Sequence, residues 1–256
     1  MKDHITEKQY WDDFWEGTTL PHTVDYDFSN DRYIADFIKE HVPPGFSEKK
    51  ALEIGCAPGK WMIFLEKERG YLMDGCEYLH SAVITTEKNL AMNGLSHSRV
   101  YEGDFLTCDF GEQKYDLIIS LGFIEHFNDP DIVIRKMMGI LKPGGFLLIG
   151  IPKLTGLNYF FAQQVDKTIK NRLLPRHNLD IMNRRFFIRI SDVFVLTPIK
   201  ISCIGAFEPA LFDISNSPLW VKIIFYLCTI MFHNRFCRFI NAEWCSSYLM
   251  AAYRKA

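Results

Sequence analysis

Between Ala51 and Pro152 short apolar runs alternate with helix-length amphipathic stretches. The runs are Ala51 to Ile54, Tyr71 to Glu77, Arg99 to Glu102, Asp116 to Ser120 and Phe146 to Pro152. Helical periods follow from about Lys60, through Ala91, and from Pro130 to Leu141. Strands apolar on both faces, separated by helices and Gly/Pro turns, predict an α/β fold with a mostly parallel sheet covered on both sides.

The flanks break this rhythm. Ile5 to Gly17 carries Tyr10, Trp11, Phe14 and Trp15 at helical spacing, and Arg32 to Val42 has a second helical period ending before Pro43-Pro44-Gly45. Lys153 to Asp192 reads as helix and loop, and strand patterns return at Ile199 to Gly205 and Tyr248 to Arg254. The expected division is a helical cap or lid over 1–45, a core over 46–152, a helical insertion over 153–198, and C-terminal strands with an apolar helix over 199–256. An insertion after the fifth strand would sit over the carboxyl ends of the strands, where open α/β sheets bind ligands.

A formal charge of −2 gives no global attraction to nucleic acid, so a small substrate is expected. The seven cysteines are never spaced CxxC and are expected to be reduced, packed thiols of a cytoplasmic protein. Met1 to Glu16 has no apolar h-region. Leu219 to Phe232 is apolar but too short for a bilayer of about 30 Å, so a buried helix is expected there, with peripheral contact at the inner membrane face as the alternative.

The chemistry concentrates in five segments. Ala51-Leu-Glu-Ile-Gly-Cys-Ala-Pro-Gly59 is a strand opening into a glycine turn before a helix, a geometry suited to a nucleotide-type ligand. The dinucleotide fingerprint G-x-G-x-x-G fails at Ala57 and Lys60, which counts against a nicotinamide dehydrogenase. Glu77 follows Gly55 by 22 residues, at the end of the next strand, where a carboxylate can take both ribose hydroxyls. Glu102-Gly-Asp104-Phe105 offers an acceptor for an exocyclic amine beside an aromatic ring. Tyr115 to His126 and Leu141-Lys-Pro-Gly-Gly145 complete the series. Each segment alone has an ordinary architectural explanation; the five in this order do not.

With its E-x-G-x-x-x-G turn and Ile124-Glu125-His126 segment, the sequence resembles the class I S-adenosylmethionine-dependent methyltransferases over residues 50–152, in particular those acting on small molecules. The resemblance implies a Rossmann-like seven-stranded sheet whose last strand, Tyr248 to Arg254, runs antiparallel. It implies Glu53, Gly55, Ala57 and Gly59, with Cys56 in the same turn, at the methionine end of S-adenosyl-L-methionine. Glu77 with Tyr78 would meet the ribose, Asp104 and Phe105 the adenine, and Leu121 the sulfonium, with Tyr10 and Trp15 closing over the cofactor. Ala57 departs from the glycine of many members by one methyl group.

Methyl transfer is an in-line displacement that mainly requires alignment and exclusion of water. If the acceptor is a hydroxyl, His126 is the candidate base, its ordinary pKa lying near neutrality, with Glu125 orienting it. A structural role, holding a loop or capping a helix, explains His126 equally. Tyr159, Arg176, His177 and Arg184, in an insertion that also carries Arg172, Arg185 and Arg189, are candidate substrate contacts for a phosphate or carboxylate, although such runs are often simply solvated. No metal is expected. The (D/N)PP(Y/F) and Pro-Cys signatures of base-modifying relatives are absent, so nucleic acid is not the expected partner.

The insertion and the apolar stretch make the chain similar to bacterial methyltransferases of cell-surface glycan (O-antigen) clusters. That similarity implies O-methylation of a sugar on a lipid- or nucleotide-linked precursor. The alternatives are a quinone-like or other aromatic hydroxyl, and a catalytically silent cofactor-binding regulator or partner subunit. The oligomeric state is not inferred.

Overall fold

The structure, a computed structural model, describes residues 3–27, 29–46, 48–168, 172–233 and 243–256. Two helices, α1 (Lys8–Trp15) and α2 (Ser29–His41), precede the sheet. The alternating core follows as β1 (Lys50–Ile54), α3 (Lys60–Arg69), β2 (Leu72–Glu77), α4 (His80–Met92), β3 (Arg99–Glu102), β4 (Tyr115–Leu121), α5 (Pro130–Ile140) and β5 (Leu141–Pro152). The remainder is α6 (Leu157–Asp166), α7 (Arg184–Val193), β6 (Leu196–Ile204), α8 (Leu219–His233) and β7 (Tyr248–Lys255).

The seven strands form one sheet in the order β3-β2-β1-β4-β5-β7-β6. β1 pairs in parallel with β2 and β4, and β4 with β5; β7 pairs antiparallel with both β5 and β6. Only β7 is reversed, as the resemblance implied. Alternation along each strand explains the apolar runs. Ala51, Leu117, Ile119, Leu148 and Met250 face a core built with α2, α3 and α4, while Leu52, Ile54, Ile118, Leu147 and Ile149 face a second core built with α5, α6 and α7. Pro198 is tolerated because β6 is an edge strand.

Local chemistry sets several boundaries. Asp129 caps α5 by accepting from the Asp131 N–H with Pro130 at the first turn, and Asn183 caps α7 by accepting from the Phe186 N–H at 3.1 Å. The Leu141 to Gly145 segment, expected to lead into a strand from Phe146, is already strand: Leu141 pairs with Tyr115, and a register shift follows before Leu117 meets Phe146.

The stretch after β5 divides: Leu154, Leu173 and His177 border the central cavity, whereas α7 packs on β6 and β7, with the Tyr253 hydroxyl donating to the Phe187 carbonyl at 2.7 Å. And α8 is not the buried helix expected of 219–232. It buries Val221, Phe225 and Phe232 against Phe161 and Phe207, but Leu219 is 74% exposed, Tyr226 70%, Leu227 61% and Ile230 62%. An all-round apolar helix packed along one stripe leaves its other side in water. Among the described residues no helix is long and apolar enough to cross a membrane. The six described cysteines are free thiols, and Cys237 lies outside the described residues.

Candidate active site

The chain runs out from β1 to β3 and then crosses over to β4, so the strand order reverses between β1 and β4. Their carboxyl ends border a cavity of about 620 Å³. Of the expected cofactor residues, Tyr10, Trp15, Glu53, Gly55, Ala57, Glu77, Tyr78, Asp104, Phe105 and Leu121 line it, as do Glu125, His126 and His177. Cys56 and Gly59 do not: the Cys56 side chain is fully buried, with its sulfur 2.6 Å from where a Cβ on Gly75 would stand. Gly59 instead lets α4 approach, since at φ +89° a Cβ would meet Thr86 Cγ2 at 3.2 Å.

Gly55, at φ +70°, sends its N–H to the Cys76 carbonyl at 2.9 Å, folding the turn over the end of β2. This brings Glu77 beneath it. Glu77 Oε1 accepts from the Tyr78 and Leu79 N–H groups at 2.7 and 3.2 Å, and Oε2 from the Ala57 N–H at 3.3 Å. Burial raises the Glu77 pKa, with the three N–H groups opposing it. Glu53 is 3% exposed, its Oε2 has no hydrogen-bond partner, and burial raises its pKa well above the ordinary value against the pull of Lys60. A buried carboxylate oxygen with no partner beside a cavity is suited to a cationic or N–H-bearing ligand.

At the other end Asp104 accepts from the Leu106 N–H at 2.9 Å and lies 3.0 Å from His4 Nε2. Phe105 packs at its back against Phe110 and Phe123. The His4 contact has no signal in the sequence. It arises because residues 3–6 run antiparallel along 126–128, with Ile5 N–H donating to the His126 carbonyl at 2.8 Å and Asn128 N–H to Asp3 at 2.9 Å. This pairing leads α1 across the mouth, where Tyr10, Trp11, Phe14 and Trp15 form an aromatic wall, with the Trp11 and His126 ring centroids 4.7 Å apart.

The near-neutral pKa expected of His126 is not met. Burial, aided by His177, pushes it down to about 3, so the ring is neutral over the working pH range. Glu125 is fully buried, neither carboxylate oxygen has a hydrogen-bond partner, and burial pushes its pKa up to about 8. The two side chains approach only to 3.8 Å, between Glu125 Oε1 and His126 Nε2. Although the sequence suggested no metal, Glu125, His126 and His177 bring one potential ligand atom each within 4.8 Å of one another.

Tyr248 is a cavity residue that the motifs did not reveal. It starts β7, the reversed strand, and so lies beside Pro152 at the carboxyl end of β5. Its hydroxyl and Glu125 Oε1 flank Gly122, at 3.6 and 3.8 Å from where a Cβ would stand. Tyr159, Arg176 and Arg184 do not line the cavity. Tyr159 is on α6 and 39% exposed, the Arg176 guanidinium stacks 4.6 Å from the Tyr10 ring, and Arg184 is exposed at the start of α7. Arg189 is held by Asp131 in a two-pronged ion pair at 2.5 and 2.7 Å. Of the suggested basic cluster, His177 lines the cavity, while Arg176 and Arg189 are engaged by Tyr10 and Asp131.

Residues 26–186 match a family model described as a methyltransferase domain. A ubiquinone biosynthesis O-methyltransferase of Pseudomonas savastanoi pv. phaseolicola is 30% identical over 161 residues, 62% of this chain and 65% of that protein. A norajmaline N-methyltransferase of Rauvolfia serpentina is 26% identical over 114 residues, 44% of this chain and 39% of that protein. The match therefore spans just under two thirds of the first relative's length. Among solved structures, a geranyl diphosphate C-methyltransferase from Streptomyces coelicolor superposes with TM-score 0.58 at 13% identity, covering 87% of this chain and 78% of that one. The YcgJ protein from Bacillus subtilis superposes with TM-score 0.56 at 14% identity, covering 87% and 97%. Family match and sheet order agree: the chain belongs to the methyltransferase-domain family, with the fold of the class I S-adenosylmethionine-dependent methyltransferases.

Proposed function

We propose that the chain is an S-adenosyl-L-methionine-dependent methyltransferase acting on a hydroxyl group of a small molecule. The observation that carries this is the pair of buried carboxylates on one cavity wall. Glu53, with its unpartnered oxygen, suits the ammonium of the methionine end, and Glu77 suits the ribose diol. Asp104 and Phe105 suit the adenine, and Leu121 the reacting sulfonium. The cofactor supplies an electrophilic methyl group; the protein's own task is to align the acceptor oxygen and keep water out. The aromatic wall from α1 and the closely packed N-terminal segment suit the second task.

Beyond the residues that suit the cofactor, the cavity is lined by Trp11, Phe14, Phe123, Leu154, Leu173 and Leu211. Such walls support a flat, apolar acceptor such as a phenolic or quinone-like hydroxyl better than the sugar suggested by the sequence, and the similarity to ubiquinone biosynthesis O-methyltransferases points the same way. The bare apolar side of α8 supports contact with a membrane surface, from which a lipid-borne acceptor would be drawn.

Calorimetric titration with S-adenosylhomocysteine, alongside NAD, tests the cofactor. Saturable binding of the former is expected, and its absence in a folded sample would sink the proposal. Methyl transfer from labelled cofactor to catechols, hydroquinones and nucleotide sugars then separates the acceptors. Binding without transfer to any of them would favour a silent regulator.

A further inference from the structure

We propose that Glu125, His126 and His177 form a binding site for one divalent transition-metal ion, on the acceptor side of the cavity. The tautomers are the first reason. His126 Nδ1 lies 2.8 Å from the Arg176 carbonyl, and His177 Nδ1 lies 2.8 Å from the Leu173 carbonyl. A carbonyl can only accept, so each ring carries its proton on Nδ1 and presents a bare lone pair on Nε2. Backbone carbonyls holding the remote ring nitrogen are the usual outer support of metal-bound imidazoles. The Thr6 hydroxyl reinforces this support, lying 2.9 Å from the same Arg176 carbonyl and 2.8 Å from His126 Nδ1.

Glu125 is the second reason. Its carboxylate is fully buried and both oxygens are without hydrogen-bond partners, a costly state for an acceptor unless something else satisfies it. One oxygen lies 3.8 Å from His126 Nε2, and the His126 and His177 ring centroids are 4.6 Å apart. The three ligand atoms fall within 4.8 Å of one another. Tetrahedral zinc, with bonds of about 2.0 to 2.2 Å, holds its ligand atoms about 3.4 Å apart, so small side-chain rotations complete the site.

Two imidazoles and one carboxylate select a zinc-, cobalt- or iron(II)-type ion over magnesium or calcium, which prefer oxygen alone. Three protein ligands leave at least one coordination position, and all three residues face the cavity. That position fits an oxygen of the acceptor, and a bound cation would lower the pKa of that hydroxyl enough for its proton to pass to solvent water as the oxygen takes the methyl group. This last step rests on the methyl-transfer proposal; binding of the ion does not.

The test is a titration of chelator-stripped, tag-free full-length protein with Co²⁺, read by the visible bands of low-symmetry cobalt and by equilibrium dialysis. The expected result is one ion per chain, displaced by Zn²⁺ and not by Mg²⁺. Affinity should fall at least tenfold in both His177→Ala and the near-isosteric Glu125→Gln, with unchanged circular dichroism. Absence of saturable binding, or binding unaffected in Glu125→Gln, overturns the site. S-adenosylhomocysteine titration of the same preparation separates the two proposals. Cofactor binding without cobalt binding sinks the metal site alone, and cobalt binding without cofactor binding sinks the methyl-transfer proposal alone.

Discussion

Glu77 Oε2 accepts the backbone N–H of Ala57 at 3.3 Å, so the carboxylate at the end of β2 also holds the turn that follows β1. One side chain thereby links the two strand ends that border the cavity. Glu77→Ala should weaken S-adenosylhomocysteine binding by roughly 30-fold or more, the loss of about 2 kcal/mol or more of charge-assisted hydrogen bonds. Calorimetry checks this, with Glu77→Gln as an intermediate case. Wild-type affinity in a folded Glu77→Ala protein would remove Glu77 from the site.

Gly150, near the carboxyl end of β5, is packed against the cavity wall. A Cβ there would lie 2.7 Å from Leu121 Cδ2 and 2.7 Å from Tyr248 Cε1, both on residues that line the cavity. Gly150→Ala should destabilise the protein by about 1–3 kcal/mol and lower cofactor affinity together. Thermal unfolding and calorimetry on the same samples read both, and an unchanged melting temperature contradicts the packing described.

The pH dependence of stability should carry the mark of Glu125. Its folded pKa is raised to about 8 by burial, above the unfolded value of about 4.3. The stability linked to its retained proton is therefore complete below about pH 4.3 and is lost as pH rises through about 8. In metal-free protein, Glu125→Gln should be the more stable at pH 8 by on the order of 1–3 kcal/mol of unfolding free energy in denaturant titrations, with the difference shrinking toward pH 5. A difference that does not change with pH would mean that Glu125 ionises freely in the fold.

The exposed side of α8 gives a surface prediction. Leu219, Trp220, Ile223, Leu227 and Ile230 are each at least half exposed on one helix. The protein should sediment with phospholipid vesicles, and Trp220→Glu with Ile223→Glu should reduce that binding at least tenfold, since each apolar side chain contributes about 1–2 kcal/mol. Equal sedimentation of the double variant would show that α8 is not the contact.

Much of this molecule was legible locally. The central strands between Ala51 and Pro152 are mostly apolar and buried on both faces, β1, β4 and β5 most fully, so their pattern gives the sheet. The placements of Glu53, Glu77 and Asp104 follow because each stands at or just past a strand end, where short-range spacing determines position. Pattern failed at α8, whose composition is the same whether its outer side meets protein or water.

What the sequence by itself determined, then, is the layered α/β fold and the carboxylates at the strand ends, since these depend on residues close together in the chain; the reversed last strand, which pairs with the distant β5, was implied only by the family resemblance. Only the tertiary structure decided that His4 meets Asp104, that Tyr248 enters the cavity, and that of the insertion's basic residues His177 lines the cavity while Arg176 and Arg184 do not. It also decided that Glu125, His126 and His177 converge in a buried place where one carboxylic acid is driven toward neutrality and one imidazole loses its basicity. Burial and convergence are set by distant segments folding against one another, and no local pattern encodes them.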